Sequence, residues 1–209
     1  MPNYYGQFAP PTDKLIEELL PINFVGTCVE VGAAQGVAAS NTLHFEELGW
    51  KCLCIEPNND LYSQLRNNRK LTQHYAVGAT NVTGARFAVV ELINGDVTAI
   101  SGLNIDQELF QQHPVRAVHE IIVDIKTLDN CLKDANIKHT DFISIDTEGT
   151  ELSVLYGFSI ENYQPYLIVI EDNYNTNKFD DYLKTFGYTR KLRQGVNNFY
   201  VNKLYYPHE

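Results

Sequence analysis

Short, almost uninterrupted apolar runs alternate along this chain with stretches whose apolar positions recur every three or four residues. Residues 27–31 (TCVEV), 51–57 (KCLCIEP), 73–79 (QHYAVGA), 85–92 (ARFAVVEL), 141–146 (DFISID) and 166–172 (YLIVIED) read as strands. Most are too evenly apolar to keep a solvent face, the signature of strands buried on both sides. Helical spacing is found over 13–20, 37–49, 59–68, 150–158 and 177–187. Thr12 is the expected N-cap of the first helix and Pro21 its stop, and Gly49 is the expected C-cap of the second. Residues 120–135 predict a strand and then a helix with Thr127 or Asp129 near its start. Residues 93–114 have no clear period, so 93–118 is expected to be a lid or acceptor loop. Such alternation predicts an α/β fold with a mainly parallel, doubly wound sheet. Residues 188–193 and 197–205 add an antiparallel pair at its edge. Residues 1–209 are expected to form one domain, with 1–24 an N-terminal segment and helix.

Composition narrows the function. Of 209 residues, 44% are hydrophobic and 20% charged, which suits a packed domain rather than disorder. The formal net charge is -10, from 16 Lys and Arg against 26 Asp and Glu. Nucleic-acid binding needs a basic face, so no nucleic-acid partner is expected. No apolar run approaches a membrane span and the first residues lack a signal-peptide pattern, so the expected compartment is the cytoplasm. Cys28, Cys52, Cys54 and Cys131 fit no zinc spacing and lie among apolar residues, as buried reduced thiols would.

The run VEVGAAQG (29–36) places Gly32 and Gly36 in the turn after the first strand, where the backbone must bend sharply. Ala34 breaks the Gly-x-Gly-x-x-Gly dinucleotide fingerprint, and glycines after a strand can be mere turn chemistry. Two acids add weight: Glu30, inside the first strand, and Glu56, at the end of the second. An acid at that second position can accept hydrogen bonds from both hydroxyls of a ribose.

Here the order of motifs becomes informative. VEVGAAQGVAASNT, GWKCLCIEPN, NNR, AVG, SGL, TL, DFISIDTEGTELSVLYGF and YLIVIEDN follow one another as they do in FkbM-type methyltransferases. The chain resembles that family over about residues 25–173. The resemblance implies a class I, Rossmann-like fold with a seven-stranded sheet and S-adenosylmethionine as methyl donor. It further implies transfer to a hydroxyl oxygen, usually on a sugar or natural product. It places Glu30, Gly32, Ala33 and Gly36 around the amino-acid end of the donor, and Glu56 on the ribose. Pro57, Ala76 and Val77 would flank the adenine, Asn41 and Ser101 would complete the pocket, and Asp146 would border it. YYGQF (4–8) resembles the family's opening Tyr-Gly-Gln-Asp with Phe8 in place of the acid, leaving Gln7 to reach the donor.

Methylating an alcohol requires that its proton leave near the transition state, through a positioned base or under the pull of a divalent metal. Both devices use carboxylates. Asp146 ends the strand 141–146 and is the expected catalytic group, supported by Glu148. Glu151, in the first turn of the next helix, is read as a partner of the helix dipole. Glu171 and Asp172 end the neighbouring strand; with Asp146 they make a set that could hold Mg²⁺ or Mn²⁺, or they are simply a solvated strand end. His113 and His119 flank the expected lid and could supply a base, whereas His44 and His208 are read as structural or surface residues. Tyr4, Tyr5, Tyr174 and Tyr205 could stack on a sugar ring. The sequence therefore points to an O-methyltransferase acting on a sugar hydroxyl of a glycan or glycosylated metabolite; the alternatives are N- or carboxyl-methylation of another small molecule or a protein, and binding of the cofactor or a glycan without catalysis. A fusion to a larger glycan-building enzyme is also open.

Overall fold

A computed structural model describes residues 3–97, 100–105 and 107–206, apart from the side chain of Leu109. His208 lies outside the described residues. The chain order is α1 (Thr12–Leu19), β1 (Thr27–Val31), α2 (Leu43–Glu47), β2 (Lys51–Ile55), α3 (Asn59–Asn68), β3 (Leu71–Gln73), β4 (Ala76–Val77), β5 (Val82–Leu92), α4 (Gln107–Gln112) and β6 (Val115–Lys126). It continues with α5 (Leu128–Asp134), β7 (Phe142–Ile145), α6 (Glu151–Tyr156), α7 (Ile160–Tyr163), β8 (Leu167–Glu171), α8 (Lys178–Lys184), β9 (Thr189–Gln194) and β10 (Asn197–Val201).

Seven strands form the main sheet in the order β3-β2-β1-β7-β8-β10-β9, parallel from β3 through β8 and antiparallel where β10 joins β8 and β9. Alternate side chains of the central strands enter two different cores, which is why those strands read as unbroken apolar runs. Val29, Val31, Leu53, Ile55, Ile143, Ile145, Ile168 and Ile170 face α5, α6 and α8. Cys28, Cys52, Phe142, Leu167 and Val169 face Ile16 of α1 and Phe45 of α2. Burying each large aliphatic side chain contributes about 1.5–3 kcal/mol, so this double layer supplies most of the rigidity on which the site is built.

The chain builds outward from β1 through β2 to β3, then returns to lay β7 on the other side of β1. A crevice opens where the winding direction reverses, beyond the carboxyl ends of β1 and β7. Gly32 marks the spot. Its φ is +82°, and a Cβ added there would collide with the Asp146 carbonyl oxygen.

Several local expectations need correction. The predicted helix 37–49 exists only over Leu43–Glu47, because Ser40, Asn41 and Thr42 are engaged with Glu30 instead of a helical ladder. The predicted strand 73–79 is two strands in two sheets, β3 in the main one and β4 in a small sheet ordered β4-β6-β5. The segment 93–118 is not wholly irregular: it contains α4 and the start of β6, whose long antiparallel pairing with β5 makes a hairpin that folds over the crevice. Thr12 is the first helical residue rather than the cap, its hydroxyl donating to the Gln7 carbonyl at 2.9 Å. Strand β10 stops at Val201, and a 3₁₀ turn follows at Lys203–Tyr205. Thr127, by contrast, does cap α5, accepting from the Asn130 N–H at 3.2 Å.

Candidate active site

The crevice is a cavity of about 610 Å³, within the range of small-molecule sites. Its floor is the set of strand ends β1, β2, β7 and β8; its far wall is the hairpin, through Phe87, Val97 and Leu103. The N-terminal segment closes one side, with Gly6 bridged to Ala39 and Gln7 and Phe8 reaching the cavity. Asp13 ties that segment down, accepting the Tyr5 N–H at 2.7 Å and the Gly6 N–H at 3.1 Å.

Of the residues singled out from sequence, Gln7, Glu30, Gly32, Ala33, Glu56, Pro57, Ala76, Val77, Ser101, Asp146, Glu148 and Glu171 line this one space. Gly36, Asn41 and Asp172 are not among its lining residues. Gly36 packs its backbone against Leu65 and Arg69, where a Cβ would have no room. Asn41 turns to Ser144, donating to its hydroxyl at 3.0 Å. Asp172 faces away from the crevice: its Oδ2 accepts the Thr176 N–H at 2.7 Å and the Asn198 amide at 3.3 Å. His113 lines the cavity, but His119 is exposed on β6. Tyr4, Tyr5, Tyr174 and Tyr205 are absent from the lining, and Tyr4 instead packs on His44 and donates to Glu17 at 2.5 Å. Sequence reasoning missed the aromatic wall, Tyr75 and Phe87, and Asn58, which caps α3.

Glu30 and Glu56 differ in how much of each remains available. Glu30 accepts from the Asn41 N–H at 2.6 Å, the Ser40 hydroxyl at 2.8 Å and the Thr42 hydroxyl at 2.6 Å. Arg69, with its side chain fully buried, adds a contact at 3.3 Å and reaches Glu46 at 3.4 Å. Glu30 is therefore a hub that fixes the 36–42 loop. Glu56 accepts only backbone N–H groups, from Ala34 at 2.9 Å and Asn58 at 2.8 Å. Each oxygen keeps a lone pair for a hydroxyl donor. Burial pushes the Glu56 carboxyl up to about 7.

At the β7 and β8 ends the carboxylates crowd. Oxygens of Asp146, Glu148 and Glu171 all lie within 4.8 Å of one another. Glu148 sits in the left-handed region at φ 55°, an uncommon conformation that costs a non-glycine residue about 1 kcal/mol. Glu151 holds that loop in place, accepting from the Thr147 N–H and hydroxyl at 3.1 Å and from the Gly149 N–H at 2.8 Å. Burial, and then the Glu151 charge, pushes Asp146 up to about 7. Burial and the Asp146 charge raise Glu148 and Glu171 as well. Glu148 Oε2 and Glu171 Oε2 are buried without a hydrogen-bond partner.

A doubly wound sheet with a nucleoside-sized crevice at its switch point, an acid at the end of the second strand and further acids opposite is the arrangement of class I methyltransferases. The chain belongs to the FkbM methyltransferase family, whose domain matches residues 30–195. Family and fold together imply S-adenosylmethionine as donor. Among solved structures, the "METTL16 MTase domain" shares the fold at a TM-score of 0.51 and 11% identity, over 92% of this chain and 66% of that one. This chain thus spans slightly less than two thirds of that structure. The "delta-N METTL16 MTase domain" gives 0.47 at 11% identity, covering 90% and 78% of the two chains. The "Human methyltransferase 10 domain containing protein" gives 0.46 at 10% identity, also covering 90% and 78%. No curated protein matches the chain. No helix among the described residues is long and apolar enough to cross a membrane.

Proposed function

We propose that this chain is an O-methyltransferase acting on a hydroxyl of an uncharged sugar, in a glycan or a glycosylated metabolite. The observation that carries the reading is the character of the cavity wall. Six acids line it (Glu30, Glu56, Asp96, Asp146, Glu148 and Glu171), and no lysine or arginine does among the described residues. Such a wall offers hydrogen-bond partners to hydroxyls and no lysine or arginine to a phosphate or carboxylate, which suits a neutral polyol.

When bound, the donor supplies an electrophilic methyl group on a sulfonium. The protein's part is placement and proton handling. Glu56 is positioned to take the ribose hydroxyls on its open lone pairs, while Pro57, Ala76 and Val77 offer an apolar slot for a base. Gln7 and Ala33 border the remaining length of the cleft. Asp146, raised to about 7, can accept a hydroxyl proton at its carboxylate near neutral pH. Burial and the Glu151 charge supply that basicity, and a hydrogen bond with Glu171 tempers it. A reducing compartment such as the cytoplasm suits the four buried thiols.

An amine acceptor has one specific observation in its favour, since the same acids would attract an ammonium. Transfer of tritium from labelled donor to three groups of acceptors decides the matter. The groups are neutral sugars, amino sugars and sugar phosphates. The reading expects label in neutral sugars and a fall of about 100-fold or more in the Asp146→Asn variant. Label confined to amino sugars would replace it with N-methylation, and a preference for sugar phosphates would end it.

A further inference from the structure

We propose that Asp146, Glu148 and Glu171 form a binding site for one hard divalent cation, Mg²⁺ or Mn²⁺, at the acceptor side of the cleft. The inference concerns the same cleft as the sugar reading and changes one role in it: with an ion bound, Asp146 would be a ligand, and the ion would lower the pKa of the hydroxyl in place of that carboxylate. The site itself rests on the geometry of these three side chains and stands without a sugar acceptor. Neither the fold nor the family assignment calls for a metal.

The first support is positional. Asp146 ends β7, Glu171 ends β8, and Glu148 is turned back by the left-handed bend after Asp146, so the three converge from two adjoining strands and one loop. One oxygen from each falls within 4.8 Å of the others, close enough for a single ion to touch all three. The second support is independent of the clustering. Glu171 is only 9% exposed, yet its Oε2 lies buried and aimed into the cavity with no hydrogen-bond partner. Glu148 Oε2 is orphaned in the same way. A buried carboxylate oxygen without a donor is costly unless something positive comes to it.

Among the described residues no lysine or arginine pairs with these three acids. Contrast Glu30 and Glu46, which share the buried Arg69. Three carboxylates and no nitrogen or sulfur donor select a hard cation that takes oxygen ligands. Such an ion would keep its other coordination positions for water or for acceptor hydroxyls. The ligand set differs from the one suggested by sequence: Asp172 is replaced by Glu148. Adjacent residues on a strand project to opposite sides, so Glu171 and Asp172 cannot share a ligand position. Asp172 Oδ2 is accordingly occupied with Thr176 and Asn198, and its Oδ1, although also buried without a partner, belongs to a residue outside the cavity lining.

The test is a Mn²⁺ titration of the chelator-treated chain of residues 1–209, with neither donor nor acceptor present, reading free Mn²⁺ by electron paramagnetic resonance. One ion per chain is expected. Glu171→Gln and Glu148→Gln should each weaken binding about tenfold or more, whereas Asp172→Asn should leave it within about twofold. Thermal melts of the same samples guard against misfolding, because the two Gln variants relieve repulsion and should melt no lower than the parent. Absence of bound Mn²⁺, or binding unchanged in both Gln variants, overturns the site. So does binding lost only in Asp172→Asn. Because no methyl acceptor enters the experiment, a failed sugar panel leaves this result standing, and a failed titration leaves the panel standing.

Discussion

Two sets of acids, buried or partly buried, face the same crevice, and their neighbours make them opposites. Glu30 is surrounded by donors: a backbone N–H, two hydroxyls and the guanidinium of Arg69. Asp146, Glu148 and Glu171 are surrounded mainly by one another. A buried charge is tolerated when it is paired and hydrogen-bonded, and is otherwise a standing liability. The first set is architecture, holding the loop that frames the cleft. The second lacks such partners, which costs stability and is the premise of the cation proposed for it. Residue type and place on the strand do not distinguish the two; the arginine does.

The contrast can be broken at several points. Replacing Arg69 by Met should be the most damaging change, because it strands Glu30 and Glu46 as buried, uncompensated charges. The expected loss is about 3–5 kcal/mol, or roughly 10 °C in Tm, measured by denaturant and thermal unfolding. An Arg69→Met protein as stable as the parent would erase the distinction.

Asp146→Asn should behave in the reverse way. Turnover should fall about 100-fold or more, while the melting temperature holds or rises. Steady-state kinetics beside a thermal melt checks both halves.

The smallest effect is in the pH dependence. Glu56 and Asp146 have folded pKa values raised to about 7 by burial, and Glu148 and Glu171 are raised too. A carboxyl raised on folding contributes its stability fully below its unfolded value, near pH 4, and loses it as the pH climbs through the folded one. The ligand-free protein should therefore melt about 5 °C lower at pH 8 than at pH 5. Glu171→Gln should flatten that slope. A Tm that rises over this interval would contradict the uncompensated state of the cluster.

Much of the main sheet was legible because strands buried on both faces have no choice of residue type. The crevice was legible for a related reason: Gly32 and the acids at residues 56, 146 and 171 all mark strand ends. What escaped was set by distant contacts. Nothing near Arg69 in the chain announces that it will reach Glu30 and Glu46, and the helical spacing of 37–42 gives way because its polar groups serve Glu30. The hairpin of β5 and β6 lies outside the main sheet with much of its surface exposed, so its pattern is mixed and its 93–114 connection has no period. The choice between Glu148 and Asp172 could have been made from sequence, since period-two alternation already forbids Glu171 and Asp172 from pointing to one place. The Gly157 of the family signature also gains a reason: a Cβ there would strike the carbonyl of Gly78.

The central claim is that the crevice above β1 and β2 holds the methyl donor, with Glu56 on its ribose. Calorimetric titration with S-adenosylhomocysteine, in the parent and in Glu56→Ala, tests it most directly. The account predicts saturable binding at one site in the parent and about tenfold or greater weakening in the variant. No heat in the parent, or equal affinity in a folded Glu56→Ala protein, would contradict it.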